Sequence, residues 1–189
     1  MELRSRPKHD RFLPDGAYLA VQESLRRLPA AGRPVVVVYA FDRLTVMLPY
    51  MFANRWMAPA GARAIGAALA AGGFEPVRIV LQQWTPNFDV RCARLDGRPV
   101  QMLCISSMQI HSARAIALVQ QAHQMGPDRP LIVVGGPKAI YEPHAFFALP
   151  PGGSVEADVV VMGEEFVLLQ MLERILACTG RSETLRQGF

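Results

Sequence analysis

The sequence predicts a doubly wound α/β domain, with a parallel sheet of about five strands covered by helices on both faces. Three observations lead to this expectation. Short runs of β-branched and other apolar residues alternate with segments that have helical spacing. The first run, Val35–Tyr39, is continuously apolar, as expected for a strand buried on both faces. Two later runs end abruptly in Gly135-Gly136-Pro137 and in Gly163, which is typical of strands that end in loops.

The ends of several predicted elements carry recognisable signals. Pro59 opens a helix and Gly72-Gly73 close it, because proline suits the first turn of a helix and glycine the residue after its last. Asp96-Gly97 marks a turn, and Ser112 is suited to cap the helix that follows. In chain order the predicted elements are a helix over Ala17–Leu28, strand one over Val35–Tyr39, a helix over Pro59–Ala71, strand two over Val77–Leu81, strand three over Val100–Ser106, a helix over Ala113–Gln124, strand four over Leu131–Val134, a short helix over Pro143–Ala148, strand five over Ala157–Met162 and a last helix through Leu168 and Leu176.

This alternation predicts the strand order 2-1-3-4-5, a flavodoxin-like or Rossmann-like sheet. Residues 1–33 are interpreted as an N-terminal extension, 34–180 as the α/β domain, and 181–189 as a tail or the start of a linker. Of 189 residues, 51% are hydrophobic and 19% are charged, which is typical of a globular protein. No apolar run is long enough to span a bilayer, and the basic N-terminus lacks the apolar core of a secretory signal. A cytoplasmic protein without a membrane partner is expected.

Charge and cysteine spacing argue against several classes of function. The net charge is +4, but no basic stripe is interleaved with aromatic residues, so no nucleic-acid partner is expected. Cys92, Cys104 and Cys178 are widely spaced, and neither zinc nor an iron–sulfur cluster has a local ligand set. We therefore predict no metal site, and we expect Cys104 to be an inert core residue. No catalytic residue is assigned, since Ser106 has no identifiable base partner.

The segments that follow the strands are the candidates for ligand binding, because ligands of open parallel sheets bind beyond the carboxyl ends of the strands. Three of these segments are rich in small or polar residues: Ser106–His111, Gly135–Lys138 and Gly163–Glu165. Glycine lets a flat ligand approach the backbone closely, and hydroxyl and free N–H groups can bind its amide or phosphate groups. Each segment alone is also an ordinary turn. Their occurrence at matching strand ends predicts a binding edge.

The order of these motifs resembles the cobalamin-binding domain that precedes the radical SAM barrel in class B radical SAM enzymes. The resemblance covers roughly residues 34–178. The motifs that carry it are Pro59-x-Gly61, Ala67–Gly72, Cys104–Met108, Val134–Pro137 and Asp158–Glu165.

The resemblance implies a cobalamin site and a larger enzyme. The residues after strand three would lie against the nucleotide tail of the cofactor, those after strand four would line a deep tail pocket, and those after strand five would close it. The implied cofactor-binding residues are Ser106, Ser107, Met108, Gly135, Gly136, Pro137, Gly163 and Glu164. The full-length protein would be a methyltransferase or a related radical SAM enzyme. Its S-adenosylmethionine and iron–sulfur cluster would be bound by a radical SAM domain in cis or in trans.

The chain departs from the family pattern at two places. The family motif Gly-Glu-Gly-Glu is replaced by Gly163-Glu164-Glu165-Phe166. Other cobalamin proteins supply an axial histidine from Asp-x-His-x-x-Gly after strand one, where this chain has Asp42-Arg43-Leu44. Cobalamin is therefore expected to bind without a histidine from this loop, with an apolar group or water from Ala40–Ala58 at its lower face. His111 is interpreted as a surface or capping histidine.

Two other classes of function are considered. A non-catalytic regulatory or protein-docking domain on the same scaffold would have its carboxyl edge filled by side chains such as Phe166, Met108 or Met162. The hydrophobic stretch Met47–Met57 fits a core, a lid or a docking surface. A flavin- or nucleotide-binding protein would need a phosphate loop after strand one, and Ala40–Leu44 offers none.

Overall fold

The computed structural model describes residues 14–28, 33–45, 58–147 and 156–179. Its core is a five-stranded parallel sheet with helices on both faces, as predicted. The strands are β1 (Val35–Tyr39), β2 (Val77–Leu81), β3 (Arg94–Leu95), β4 (Arg98–Pro99), β5 (Met102–Ser106), β6 (Leu131–Gly135) and β7 (Val159–Val160), and the helices are α1 (Ala17–Arg27), α2 (Ala60–Ala71), α3 (Ser112–His123), α4 (Pro137–Tyr141) and α5 (Glu165–Thr179).

The strands of the main sheet lie in the order β2-β1-β5-β6-β7. Every pairing is parallel, and β1 lies between β2 and β5. Strands β3 and β4 form a separate antiparallel pair, so the main sheet has the predicted order 2-1-3-4-5. The direction of the chain across the sheet reverses between β1 and β5, and ligands of such folds bind outside the strand ends at this point.

The side chains of each strand alternate between two hydrophobic clusters. In β1, Val35, Val37 and Tyr39 belong to the cluster formed with α1, α2 and α5. Val36 and Val38 belong to the cluster formed with α3 and α4. Both faces of the strand are buried, which explains its continuous apolar run.

Helix α1 packs against the same core, although the sequence places it in the N-terminal extension. Its Leu25 is completely buried. Arg26 donates a hydrogen bond from Nε to the carbonyl of Ala71 at the end of α2. Tyr18 stacks on Phe166 of α5, with ring centroids 6.2 Å apart. The helix is therefore part of the layer that covers this face of the sheet.

Local structure differs from the prediction in three places. Ser112 is the first residue of α3 and makes no capping bond, because the helix is preceded by a 3₁₀ turn that makes His111 the cap residue. The fifth strand pairs only over Val159–Val160. The chain turns sharply at Gly136, so a helix begins directly at Pro137, while residues 143–146 form a 3₁₀ turn in place of the predicted helix, whose last residue, Ala148, lies outside the described residues.

The predicted turn at Asp96-Gly97 is confirmed. Both residues have positive φ angles, 50° and 75°, and they join β3 to β4. A two-residue hairpin turn with positive φ at both positions is of type I′, for which Asp-Gly is a preferred sequence.

A close backbone contact joins the loops that follow β5 and β6. Ser107 donates its N–H to the carbonyl of Gly135, and Lys138 donates its N–H to the carbonyl of Ser107, each at 3.0 Å. Between these bonds Gly136 has φ 89° and ψ −178°, a region that is open essentially to glycine alone. A Cβ atom at Gly136 would lie 2.9 Å from the Ser107 carbonyl oxygen. Only glycine fits here without a shift of backbone.

We predict that Gly136→Ala lowers the free energy of unfolding by about 1–3 kcal/mol or more, the cost of a side chain in a strained backbone region. Urea unfolding followed by circular dichroism measures the change. The matched control is Gly135→Ala, whose Cβ would have one neighbour, the Val161 carbonyl oxygen at 3.7 Å. The control should change stability by less than about 0.5 kcal/mol. Equal losses in the two variants would contradict the role given to Gly136.

Candidate functional site

On one face of the sheet, two of the three central strands, β5 and β6, end in small residues. Because side chains alternate and the strands are in register, residues of neighbouring strands form level rows across this face. Two rows face α2 and α5 near the carboxyl edge. The row at the edge is Tyr39, Ser106 and Gly135, and the row below it is Val37, Cys104 and Val133. Since Ser106 and Gly135 are small, they leave space above Cys104 and Val133.

A cavity of about 190 Å³ occupies this space. Helix α2 covers it with Gly61 and Ile65, and α5 covers it with Glu165 and Leu168. Its floor is the row of Val37, Cys104 and Val133. The cavity therefore lies beneath the two helices and opens at the carboxyl edge, where the fold class is expected to bind ligands.

Five of the eight residues predicted to bind cofactor line this cavity. They come from three separate strand ends, and the fold brings them together around one opening. They are Ser106, Gly135, Gly136, Gly163 and Glu164.

The other three predicted residues lie beside the cavity without lining it. Ser107 is fully buried, and its hydroxyl donates to the carbonyl of Met108. Met108 is partly exposed, and its sulfur accepts a hydrogen bond from the Tyr39 hydroxyl at 3.1 Å. Pro137 is exposed at the start of α4. Of the three, Ser107 forms the backbone contact with Gly135 and Lys138 that joins the two loops.

Sequence reasoning missed the floor and the helical roof of the site. Cys104 is buried as predicted, and burial raises the pKa of its thiol to about 12, so that it stays protonated. It nevertheless lines the cavity. The sequence pattern that could have identified Cys104 as a lining residue is the alternation of side chains along a buried strand, which places Cys104 on the same face as Ser106. No sequence pattern identified Ile65 and Leu168 as lining residues, because their positions over the cavity depend on how α2 and α5 pack on the sheet.

Polar groups of the cavity are confined to its mouth. The Ser106 hydroxyl has no hydrogen-bond partner among the residues that the structure describes, and it lies beside Gly136. Glu164 and Glu165 line the opening at the start of α5, where the helix dipole favours negative charge. Burial, and secondarily the charge of Glu165, raise the pKa of Tyr18. The arrangement suits a ligand with a flat apolar group inside and polar substituents at the mouth.

A second cluster lies at the end of β1. The His111 ring packs against Phe41 and Tyr39, with centroids 4.5 Å and 5.9 Å away, and its Nδ1 accepts a hydrogen bond from the Asp42 N–H at 3.1 Å. The residue is only 1% exposed, so it is not a surface histidine. By its backbone position it is the N-cap of α3, as the capping alternative predicted, although its ring makes no capping hydrogen bond. The turn after β5 carries the ring onto the aromatic end of β1, and the ring joins these two loops. The Leu44 side chain, in the loop after β1, is exposed.

Large apolar side chains are exposed after each strand of the main sheet. Leu44 follows β1, Trp84 follows β2, Met108 follows β5, Tyr141 follows β6 and Met162 follows β7. Exposed apolar groups that share one edge mark an interaction surface more often than isolated ones do.

Two kinds of site are not found in the described ranges of the chain. No group of three or more His, Cys, Asp or Glu side chains in those ranges has the arrangement of a metal site. None of the helices described has the length and apolar character needed to cross a bilayer.

No protein-family model, no curated protein and no solved structure matches this chain. The geometry of the cavity and its chemistry are therefore the basis for a functional assignment.

We predict that the protein loses stability as the pH falls from 7 to 5, with His111 as one cause. Burial lowers the pKa of His111 and outweighs the nearby Asp42 charge, which raises it. The unfolded chain, with a histidine pKa of about 6.5, then binds the proton more tightly than the folded protein. The stabilisation is present above that pKa and is lost as the pH falls below it. Urea unfolding at a series of pH values measures the slope.

The informative variant is His111→Asn, whose Oδ1 can take the place of Nδ1 as acceptor for the Asp42 N–H but does not titrate. It should flatten the slope between pH 7 and 5 even if its absolute stability is lower. His144→Asn changes an exposed histidine and serves as the control. An unchanged slope in His111→Asn would contradict the assignment.

Proposed function

We propose that this domain binds cobalamin, with the nucleotide tail of the cofactor inside the cavity beneath α2 and α5. We further propose that it belongs to the cobalamin-binding domains of class B radical SAM enzymes. The observation that carries the proposal is the cavity itself, an apolar slot that reaches Gly136 from the carboxyl edge. A sheet edge closed by bulky side chains would have left no room for a cofactor tail.

The size of the cavity supports this assignment. Apolar cavities of about 150 Å³ in proteins hold a benzene-sized ring. The cavity of about 190 Å³ is larger and continues into an opening. It suits the fused aromatic base at the end of the cobalamin tail, with the sugar and phosphate towards the mouth.

The chemistry of the lining supports it as well. The Ser106 hydroxyl would offer one hydrogen bond to a ring nitrogen of the base. Gly135 and Gly136 would let the base lie against the backbone, and Gly163 and Glu164 would close the opening. The cobalt of a bound cobalamin would supply methyl-transfer chemistry. Residue 44 is leucine, so the loop after β1 offers the cobalt no histidine.

We propose no catalytic role for any residue of this chain. The proposal therefore includes a radical SAM domain, in cis or in trans, that binds S-adenosylmethionine and an iron–sulfur cluster. The full-length enzyme would be a methyltransferase or a related radical SAM enzyme. The exposed apolar side chains around the carboxyl edge, including Leu44 and Met162, support a partner domain at this edge.

A protein-docking domain without cofactor is the second candidate, and the same exposed side chains favour it. Against it, the cavity is open. Phe166 packs on Tyr18, Met162 is exposed and Met108 binds Tyr39, and none of the three lines the cavity. The side chains that would have closed the slot are thus directed elsewhere. Cofactor binding explains the open slot, whereas docking alone does not require it.

We predict that the purified chain binds hydroxocobalamin, co-eluting with it in gel filtration and shifting its visible absorption. Gly135→Leu should weaken binding at least about tenfold, because its side chain would project into the cavity. The control Ala60→Leu adds the same side chain to an exposed position of α2 outside the cavity and should bind normally. Thermal unfolding checks that both variants fold. Absence of any spectral change or co-elution with the unaltered chain would refute the proposal and favour the docking domain.

A further inference from the structure

Among the described residues, the deep part of the cavity carries no strong hydrogen-bonding group. Its floor consists of the side chains of Val37, Cys104 and Val133. The Cys104 thiol stays protonated and is at most a weak hydrogen-bonding group. The backbone N–H and C=O groups of β1, β5 and β6 are engaged in the ladders between these strands. Within the described part of the chain, the wall therefore offers no strong donor or acceptor at this depth.

The polar groups of the lining lie nearer the carboxyl edge than the floor does, either in the edge row or at the opening of the cavity. The Ser106 hydroxyl lies in the edge row, and the Val161 carbonyl oxygen lies at the same level, 3.7 Å from where a Cβ of Gly135 would be. Glu164 and Glu165 line the cavity from the start of α5. A ligand base that enters from the mouth keeps its sugar outside and places its far ring against the floor. One ring nitrogen on the near ring can then meet Ser106, and any polar group on the far ring stays unpaired.

We infer that the cavity selects a cobamide whose tail ends in a benzimidazole over one whose tail ends in adenine, an inference that rests on the proposed function. The two bases are fused bicyclic rings of similar size, so shape alone separates them poorly. In its six-membered ring, adenine has two nitrogens where a benzimidazole has carbon atoms, and it carries an amino group where a benzimidazole has a hydrogen. Each polar group that is buried without a partner lowers affinity roughly tenfold.

The test compares three corrinoids under conditions in which no tail base coordinates the cobalt. Cobalamin, the adenine-containing cobamide and cobinamide, which has no base, are each titrated into the purified full chain in their dicyano forms. Absorbance and isothermal titration calorimetry give the dissociation constants. We expect cobalamin to bind at least about tenfold more tightly than the adenine-containing cobamide, and cobinamide to bind most weakly.

Variants of the floor locate the origin of the preference. Cys104→Ser places a hydroxyl at the floor with little change in volume, and it should narrow the preference for cobalamin. Cys104→Ala adds no polar group and should keep the preference. Val133→Thr adds a hydroxyl to the neighbouring strand and provides a second test if Cys104→Ser does not fold.

The outcomes separate the two claims. If none of the three corrinoids binds, the proposed function is overturned, and the selectivity with it. If cobalamin and the adenine-containing cobamide bind equally well, the selectivity is wrong while cobalamin binding stands. If cobinamide binds as tightly as cobalamin, the tail does not occupy the cavity, and the inference fails.

Discussion

The contact between the loops after β5 and β6 is the constraint on which the site depends. Two backbone hydrogen bonds hold Ser107 against Gly135 and Lys138, and they bring Gly136 so close to Ser107 that no Cβ fits between them. This contact fixes where β6 ends and where α4 begins. It also holds the Ser106 hydroxyl beside Gly136, at the carboxyl edge of the sheet.

The cavity exists because the side chains at the carboxyl ends of two adjacent strands, β5 and β6, are small. Helices α2 and α5 must pack on the sheet to bury their apolar faces, and deeper along the strands they do so on large residues such as Met102 and Leu131. At the carboxyl edge Ser106 and Gly135 provide too little volume to fill the same gap. Interiors are normally packed to the density of organic crystals, so an open space of this size in a small domain is more typical of a binding site than of a packing defect.

The residues Gly163-Glu164-Glu165-Phe166 have distinct positions at the start of α5. Glu165 begins α5, where its charge suits the helix dipole, and it lines the opening together with Glu164. Phe166 turns away from the cavity and stacks on Tyr18 of α1. Through Phe166, this sequence therefore packs α1 against α5, one of the two helices that cover the cavity. It does not block the slot, which is the property that the proposed function requires.

The sequence by itself determined the order of the sheet, most strand boundaries and the edge of the sheet at which the cavity lies, because buried strands, glycine turns and alternation with helices are local patterns. It also identified five residues of the cavity lining, since small residues at strand ends are visible in one dimension. Only the tertiary structure decided which residues form the floor and roof, because Cys104, Ile65 and Leu168 meet through strand register and helix packing. It likewise decided that His111 is buried, since the turn that carries it onto Phe41 depends on contacts between loops 69 residues apart.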